Sequence, residues 1–539
     1  MAVKKRKELD RILTYALALG SSIWIALILV VMPLYFQEGY THIGSDKSYL
    51  LRTCGVRLGR ILLPLSAVWA VCRIRDGIGR RHVVGQRDAV GEKRISAMDI
   101  LAVLFAVGTV ISYACSAYRE TALWGTKGWY MGMGTQLILV GSYFLLSRFA
   151  FEKLGPWLLF PAFPVSAITF VLGFLNRFDI WPLQMENSGL PIYISTVGNI
   201  NWFCSYMLAI LFAAVGLFWL GQGEKRSGMI LWSIYLFTGF ASLVTQGSDS
   251  GIVAMGGTLL FVFCRSLYGR DFDRLHRFWL VVLLLGGACV FTWMVQVVFS
   301  AEMNFELGLG DLLCGPLSLL VLGAGLGGLL YNRFLQEKSA DRKKAPEFFE
   351  KLAILLAGAV GVVFLVAVCL ITANTMHPGS IGFLSKFGIF RFDHDWGHHR
   401  GATWPLGLQC FAGQDLLHKL VGVGPDCMAE YLYSEQGIAR GLAGVADQVF
   451  EGMRLTNAHC ELLTMLVNEG LLGAVTYGGM LALFWKRNLF CRVQDLNPKA
   501  AACALGVLAL SVNNVWSFQQ SIGTATMFVL LGLGRYYEK

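Results

Sequence analysis

Residues Ala500–Gly534 read AAACALGVLALSVNNVWSFQQSIGTATMFVLLGLG, thirty-five positions without one Asp, Glu, Lys or Arg. A helix crosses about 30 Å of hydrocarbon with roughly twenty residues, so this run is too long for one crossing and suits two. The polar pairs Asn513-Asn514 and Gln519-Gln520 divide it and predict a tight hairpin at the membrane surface. Outward from this run, apolar stretches with few or no charges predict further spans over 12–36, 56–74, 98–117, 128–148, 154–175, 200–220, 228–246, 250–267, 278–299, 311–331, 352–374 and 460–485. With 499–514 and 519–535 the expectation is about fourteen transmembrane helices. Composition agrees: 55% of the 539 residues are hydrophobic and 15% charged, and mean hydropathy is +0.56. Soluble chains carry roughly a quarter charged residues. The expected fold class is all-α, a polytopic integral membrane protein.

The net charge of +10 does not point to nucleic acid, because the basic residues sit in short segments between the spans, where orientation signals lie. With the N-terminus cytoplasmic, the inner connections hold 32 Lys and Arg and the outer ones 13, and an even span number puts both termini in the cytoplasm. Segments Arg73–Arg94 and Arg333–Lys351 are the strongest inside markers. Lys4–Lys7 followed by 12–36 has a signal peptide's order of parts, but the apolar part is long and lacks a small-residue cleavage site, so it is expected to be the first span. The thirteen cysteines are scattered singly without a CxxC pair and read as small buried hydrophobes.

One connection differs from the rest. Residues 375–458 hold no span, yet contain His377, His394, His398, His399 and His418, with His459 immediately after. Leu406, Leu408, Phe411, Leu416, Leu417 and Leu420 show helical periodicity, as does Met428 through Phe450, so the segment is expected to be an extracytoplasmic helical cap. The chain then divides into 1–374 with eleven membrane helices, the cap at 375–458, and 459–539 with three. It carries no Walker A, GxGxxG, HExxH or GxSxG motif.

Four features together resemble the O-antigen ligase and O-antigen polymerase family of bacterial envelope glycosyltransferases. Ser195-Thr-Val-Gly-Asn-Ile-Asn201 precedes Trp202-Phe203 and a new span, similar to the family's Gly-Asn-x-Asn. Arg400-Gly-Ala-Thr-Trp404 followed by Leu420-Val-Gly-Val-Gly424-Pro425 resembles its arginine, tryptophan and Gly-x-Gly-Pro turn. Asn457-Ala-His459-Cys-Glu461-Leu-Leu463 with Glu469-Gly470-Leu-Leu-Gly473 is similar to its histidine-led entry to a span. The order of parts, with one large outer loop late in the chain and three closing spans, is the fourth. Two departures stand out: Gln246-Gly-Ser-Asp249-Ser250-Gly251 lacks the arginine of the family's Ser-Arg-Gly turn, and Cys460 stands where Asn usually follows the histidine.

The resemblance implies a GT-C-like, multi-pass enzyme of the inner (cytoplasmic) membrane that moves a glycan from a polyprenyl-diphosphate-linked donor to a hydroxyl of a glycan or glycolipid acceptor, among membrane lipids and without a cofactor. Such chemistry needs cations at the leaving diphosphate, for which Arg is suited by its fork of donors. It also needs a base near neutral pKa at the acceptor hydroxyl. Arg400 is the candidate clamp and His459 the candidate base; their competing roles are a headgroup anchor and a structural helix-end histidine. Asn201, Arg440, Arg454 and Glu461 are candidate substrate contacts, and Glu469 is expected to be structural or to line a pathway. Asp393-His394-Asp395-Trp396-Gly397-His398-His399 has metal-ligand chemistry, but adjacent ligands in a loop seldom converge, so no metal is expected. Ligase and polymerase share these motifs. A lipid-linked oligosaccharide flippase would show two similar halves, which are not seen, and a scaffold role leaves the Arg400 and His459 patterns unexplained.

Overall fold

In the computed structural model, residues 2–80, 95–150, 161–221, 226–300, 308–339, 345–492 and 495–538 are described. The basic segments 81–94 and 340–344, used above as orientation markers, and the start of the expected span 154–175 lie outside them. The described chain is helical apart from one antiparallel pairing of Tyr193–Ile194 with Gly198–Asn199. Helices dominate because lipid offers backbone groups no partner, and a helix satisfies its own.

The first eleven long helices are α1 (Ala2–Ala26, prolonged by a π turn over Leu27–Val31), α2 (Ile43–Arg80), α3 (Ala97–Cys115), α4 (Met133–Phe149), α5 (Ala162–Asn176), α6 (Ile200–Trp219), α7 (Arg226–Thr245), α8 (Asp249–Tyr268), α9 (Phe272–Val298), α10 (Leu317–Lys338) and α11 (Phe348–Met376). The cap contributes α12 (Trp396–Gly413), α13 (Leu416–Val421), α14 (Met428–Leu432), α15 (Glu435–Ala439) and α16 (Leu442–Val449). The chain closes with α17 (Glu461–Asn488), α18 (Pro498–Asn514) and α19 (Ser521–Tyr537).

Ten helices among the described residues are long and apolar enough to cross a membrane. Every expected span has a helical counterpart, but four of these are shorter: α4, α18 and α19 have 17 residues each and α5 has 15. By length alone, ten of the fourteen expected crossings are met among the described residues. α2 begins at Ile43 rather than 56, because the helix tolerates charges that interrupt the apolar run. Lys47 among them is fully buried and its Nζ donates to the carbonyls of Met32 (2.7 Å), Pro33 (3.3 Å) and Tyr35 (2.9 Å), closing the end of the first helix.

At the centre α6 packs on α18, with 94% of its apolar window buried. Small residues permit that approach: a Cβ on Gly216 would stand 2.7 Å from Ala502 Cα, and one on Gly506 would stand 2.3 Å from Ala209 O. α11 is the opposite case, with none of its apolar window buried. At one end of the bundle Asp99 meets Arg148 (3.0 Å), Tyr143 (2.7 Å) and Arg535 (3.5 Å), while Glu538 pairs with Arg535 (2.8 Å). The cap sits at the other end, around its own small core of Leu406, Cys410, Met428, Leu432, Leu442 and Ala446.

Two sequence expectations need correction here. The expected span 460–485 is not one continuous helix: Gly470 has φ 67° and ψ −167°, so α17 is broken there. The Asn513–Gln520 turn does form, but Asn513, Asn514 and Gln520 are each 3% exposed or less, turned inward rather than outward. Both deviations build the site.

Candidate active site

The break at Gly470 frees the carbonyls that precede it, and the cap takes them. Val423 N donates to Val467 O (3.2 Å) and Gly424 N to Asn468 O (3.0 Å); Ser112 Oγ reaches Asn468 O (2.9 Å) and Gln414 Nε2 reaches Val467 O (3.0 Å). The fit is backbone to backbone. A Cβ on Gly422 would fall 2.1 Å from Asn468 O, and one on Gly470 would fall 2.5 Å from Leu420 C and O. The Gly422–Pro425 turn and the Glu469-Gly470 pair, read as separate motifs, are thus two sides of one joint. Asp426, next in the turn, is buried and accepts from Thr126 N (2.8 Å) and Met131 N (3.1 Å), fastening the cap to the α3–α4 connection. Burial pushes its carboxyl up to about 7, against the pull of those two N–H groups.

Arg400 ties α12 to the turn between α18 and α19. Its Nε and Nη2 both donate to Trp516 O, the first at 3.0 Å, and Nη1 donates to Gly397 O at 2.6 Å. Among the described residues no carboxylate lies within ion-pair distance of it, so the half-buried cation is held by carbonyl dipoles and keeps two N–H bonds in reserve. Burial lowers its pKa, which a distant Asp249 partly offsets.

His459 stands beside this cation. Its φ of 48° is left-handed, and its N–H donates to Asn457 Oδ1 (2.9 Å) while Ala458 N donates to Thr464 Oγ1 (3.0 Å). Asn457 therefore caps this tight turn and not the helix; Cys460 is the N-cap of α17, without a side-chain bond. The imidazole lies edge-on to Phe518, centroids 5.3 Å apart. Burial first, then the charges of Arg400 and His399, push its pKa down to about 4. That lies below the near-neutral value expected of the base; desolvation and neighbouring charge keep the ring neutral at pH 7.

Phe518, against which the His459 ring lies, also lines a pocket with Trp129, Gln136, Glu461, Asn468 and Glu469 among others, with about 400 Å³ of empty space counting its open mouth. Trp129 stacks obliquely on Phe518 (4.3 Å) and edge-on to Trp202 (5.8 Å), and its Nε1 donates to Thr456 Oγ1 (2.6 Å). Glu461 accepts from Tyr477 Oη (2.8 Å) and Asn514 Nδ2 (3.1 Å). From Asn514 a chain of bonds runs through Asn513, Ser250 and Ser248 to Asn201 Oδ1 (3.3 Å).

No family model matches the chain, and no curated protein sequence matches it. The structure itself brings Arg400, His459, Glu461 and Asn201 around one turn, residues 513–520. Arg440 and Arg454 do not line the pocket. Arg454 pairs with Glu430 (2.8 Å) over the ring of Tyr433 (5.5 Å), and Arg440 packs beside Gly413 and Tyr431 within the cap. The Asp393–His399 stretch fans out: Gly397, His398 and His399 are all left-handed, His398 reaches Asp249 (3.2 Å) and His399 reaches Asp395 (3.4 Å). Among the described residues no three His, Cys, Asp or Glu side chains gather to hold a metal ion.

Several residues escaped the sequence reading. Arg177 is 1% exposed and donates to Thr245 O (3.1 Å), Gln246 O (2.6 Å) and Pro191 O (2.9 Å). An arginine does reach the turn that lacks one in sequence, from a different connection. Its signal was its place, the first charge after an apolar span. Gln136, Asp426 and Trp129 had no such signal.

Proposed function

We propose that the protein is a membrane glycosyltransferase of O-antigen ligase type, moving a glycan from a polyprenyl-diphosphate donor to an acceptor hydroxyl at the outer membrane face. The observation that carries this reading is Arg400 and a neutral His459 held by the same turn at the capped end of the bundle, through Trp516 O and Phe518, with Phe518 also lining the pocket. In the proposed reaction the acceptor oxygen attacks the anomeric carbon, the bond from that carbon to the diphosphate breaks, and His459 takes the hydroxyl proton. The free N–H groups of Arg400 meet charge growing on the leaving diphosphate, pre-aimed by Trp516 O so that little reorganisation is needed.

On this reading all fourteen spans cross, the short α4, α5, α18 and α19 included. The Asp99–Arg535 end of the bundle faces the cytoplasm of a bacterial inner membrane, and both termini lie there. The cap then lies outside. A polymerase of the same family differs only in using a second lipid-linked glycan as acceptor, so the test supplies both acceptors. Purified protein with a lipid-linked donor should form product, Arg400→Lys should lose at least about tenfold for want of a fork, and His459→Gln should lose about 10²-fold or more. Product formation by Arg400→Ala or His459→Gln at the wild-type rate would overturn the assignment.

A further inference from the structure

The pocket that Phe518 lines has a chemical asymmetry that a clamp and a base do not require. Its lining includes the carboxylates Asp426, Glu461 and Glu469 and contains no Lys or Arg. Three further polar atoms of the lining are buried and unpartnered: the acceptors Gln136 Oε1, on a residue 2% exposed, and Asn468 Oδ1, on a residue 5% exposed, and the donor Gln519 Nε2. Glu469 is 3% exposed, and Thr109 Oγ1 (2.7 Å) satisfies one of its oxygens. A buried acceptor without a donor is costly, and here two share one pocket with a single unpartnered donor and three carboxylic side chains. Such a lining favours a ligand richer in hydrogen-bond donors than in acceptors.

The carboxylates already hold neutral donors. Asp426 accepts two backbone N–H groups, and Glu461 accepts from Tyr477 and Asn514. What remains unsatisfied calls for several hydrogen-bond donors rather than for one full positive charge. The lining also holds two aromatic rings, Trp129, fixed by its bond to Thr456, and Phe518, which touches both Trp129 and His459. Aromatic faces beside amide and carboxylate acceptors suit a ring with an apolar C–H face and a rim of hydroxyls.

We propose that this pocket is a saccharide subsite that binds an uncharged, hydroxyl-rich sugar of the acceptor, stacked on Trp129 and Phe518, with hydroxyls donating to Gln136, Asn468 and Glu469. This deepens the glycosyltransferase reading and rests on it for the word acceptor, but the binding stands without any transfer step. Gln136, Asn468 and Glu469 are positioning residues, and His459, whose ring lies against Phe518, receives a further hydroxyl of the same ring.

The test uses the full chain in detergent or nanodiscs without donor. Tryptophan fluorescence is titrated with methyl glucoside, methyl galactoside, methyl N-acetylglucosaminide and, as the cationic arm, glucosamine. Saturable quenching by at least one neutral glycoside is expected, weakened about five- to tenfold in Gln136→Met and in Asn468→Ala. Elution volume and thermal midpoint show whether each variant is folded, and two variants on different helices guard against one misfolding. No quenching by any neutral glycoside, equal affinity in both folded variants, or quenching by glucosamine alone would overturn the proposal. Binding without any transfer would keep the subsite and sink the transferase reading. Transfer with an unchanged acceptor KM in both variants would do the reverse.

Discussion

Replacing Gly470 by Ala should detach the cap from the bundle while leaving most of the bundle folded. At φ 67° and ψ −167° Gly470 occupies a region essentially closed to other residues, which costs about 1–3 kcal/mol when forced. The added Cβ would also stand 2.5 Å from Leu420 C and O and 2.6 Å from Gly422 N, all of them backbone atoms that no rotamer change can remove. Relieving that contact means shifting the 420–422 strand outward, which stretches Val423 N to Val467 O (3.2 Å) and Gly424 N to Asn468 O (3.0 Å). At about 1 kcal/mol each, those bonds bring the expected loss to roughly 3–5 kcal/mol at the joint. Limited proteolysis across 375–458 and hydrogen exchange of the cap amides measure it directly. Gly444→Ala is the control: Gly444 lies inside α16, a Cβ there meets nothing within 4 Å, and the change should be neutral or mildly stabilising. If Gly470→Ala protects its cap within about 0.5 kcal/mol of the Gly444→Ala control, the joint does not hold the cap.

With its pKa pushed down to about 4, His459 is protonated in only about one molecule in a thousand at pH 7. Transfer should therefore stay flat from pH 8 to about 5.5 and fall by half near pH 4; an acid limb centred on 6.5 would refute the desolvated base. Asp426 gives a stability signature of opposite sense. Its folded pKa of about 7 lies above the ordinary 3.9, so as pH rises from 4 to 7 the unfolded chain releases a proton that the folded chain keeps, and stability falls. Asp426→Asn should remove that slope, a difference of up to about 4 kcal/mol between pH 4 and 8, and identical slopes in thermal unfolding would contradict it. The hydrogen bond that His398 donates to Asp249 raises the imidazole's pKa, so the charged pair is present at low pH and lost as pH rises through that value. His398 is 77% exposed, which limits the latch to under about 1 kcal/mol; exchange protection of 393–399 should drop less than about fivefold between pH 6 and 8 and not at all in Asp249→Asn.

The helices were legible because hydrocarbon imposes one rule on every residue it touches, and uncharged runs satisfy it visibly. The exceptions all come from polar groups that leave the surface. Lys47 hid the first thirteen residues of α2, since a lysine in a helix reads as an end unless its carbonyl partners fifteen to twelve positions earlier are known. The break in α17 left a trace in Asn468-Glu469-Gly470, three poor residues for a lipid-facing turn, yet only the approach of Gly422 from the cap shows why Gly is required. Arg400, His459, Glu461 and Asn201 were selected one by one through a resemblance, and periodicity contained nothing that put them together. Arg440 and Arg454 looked equivalent to Arg400 in a list of loop cations. What separates them is partnership, because Glu430 engages Arg454 whereas Arg400 rests on carbonyls alone.

The inward-facing turn at 513–520 explains how these distant residues meet. In water its amides would be solvated and would carry no positional information. Buried between α6, α8 and α17 they must satisfy one another, and each bond made by Asn513 and Asn514 fixes another helix: Ser205 on α6, Ser250 on α8, Glu461 on α17. The same turn presents Trp516 O to Arg400 and Phe518 to His459. One short segment therefore gathers the cation, the imidazole and one edge of the acceptor-rich pocket. That arrangement orders the proposed substrates: a diphosphate is drawn to the arginine, a hydroxyl-rich ring to the buried acceptors, and the imidazole is held by the turn that touches both.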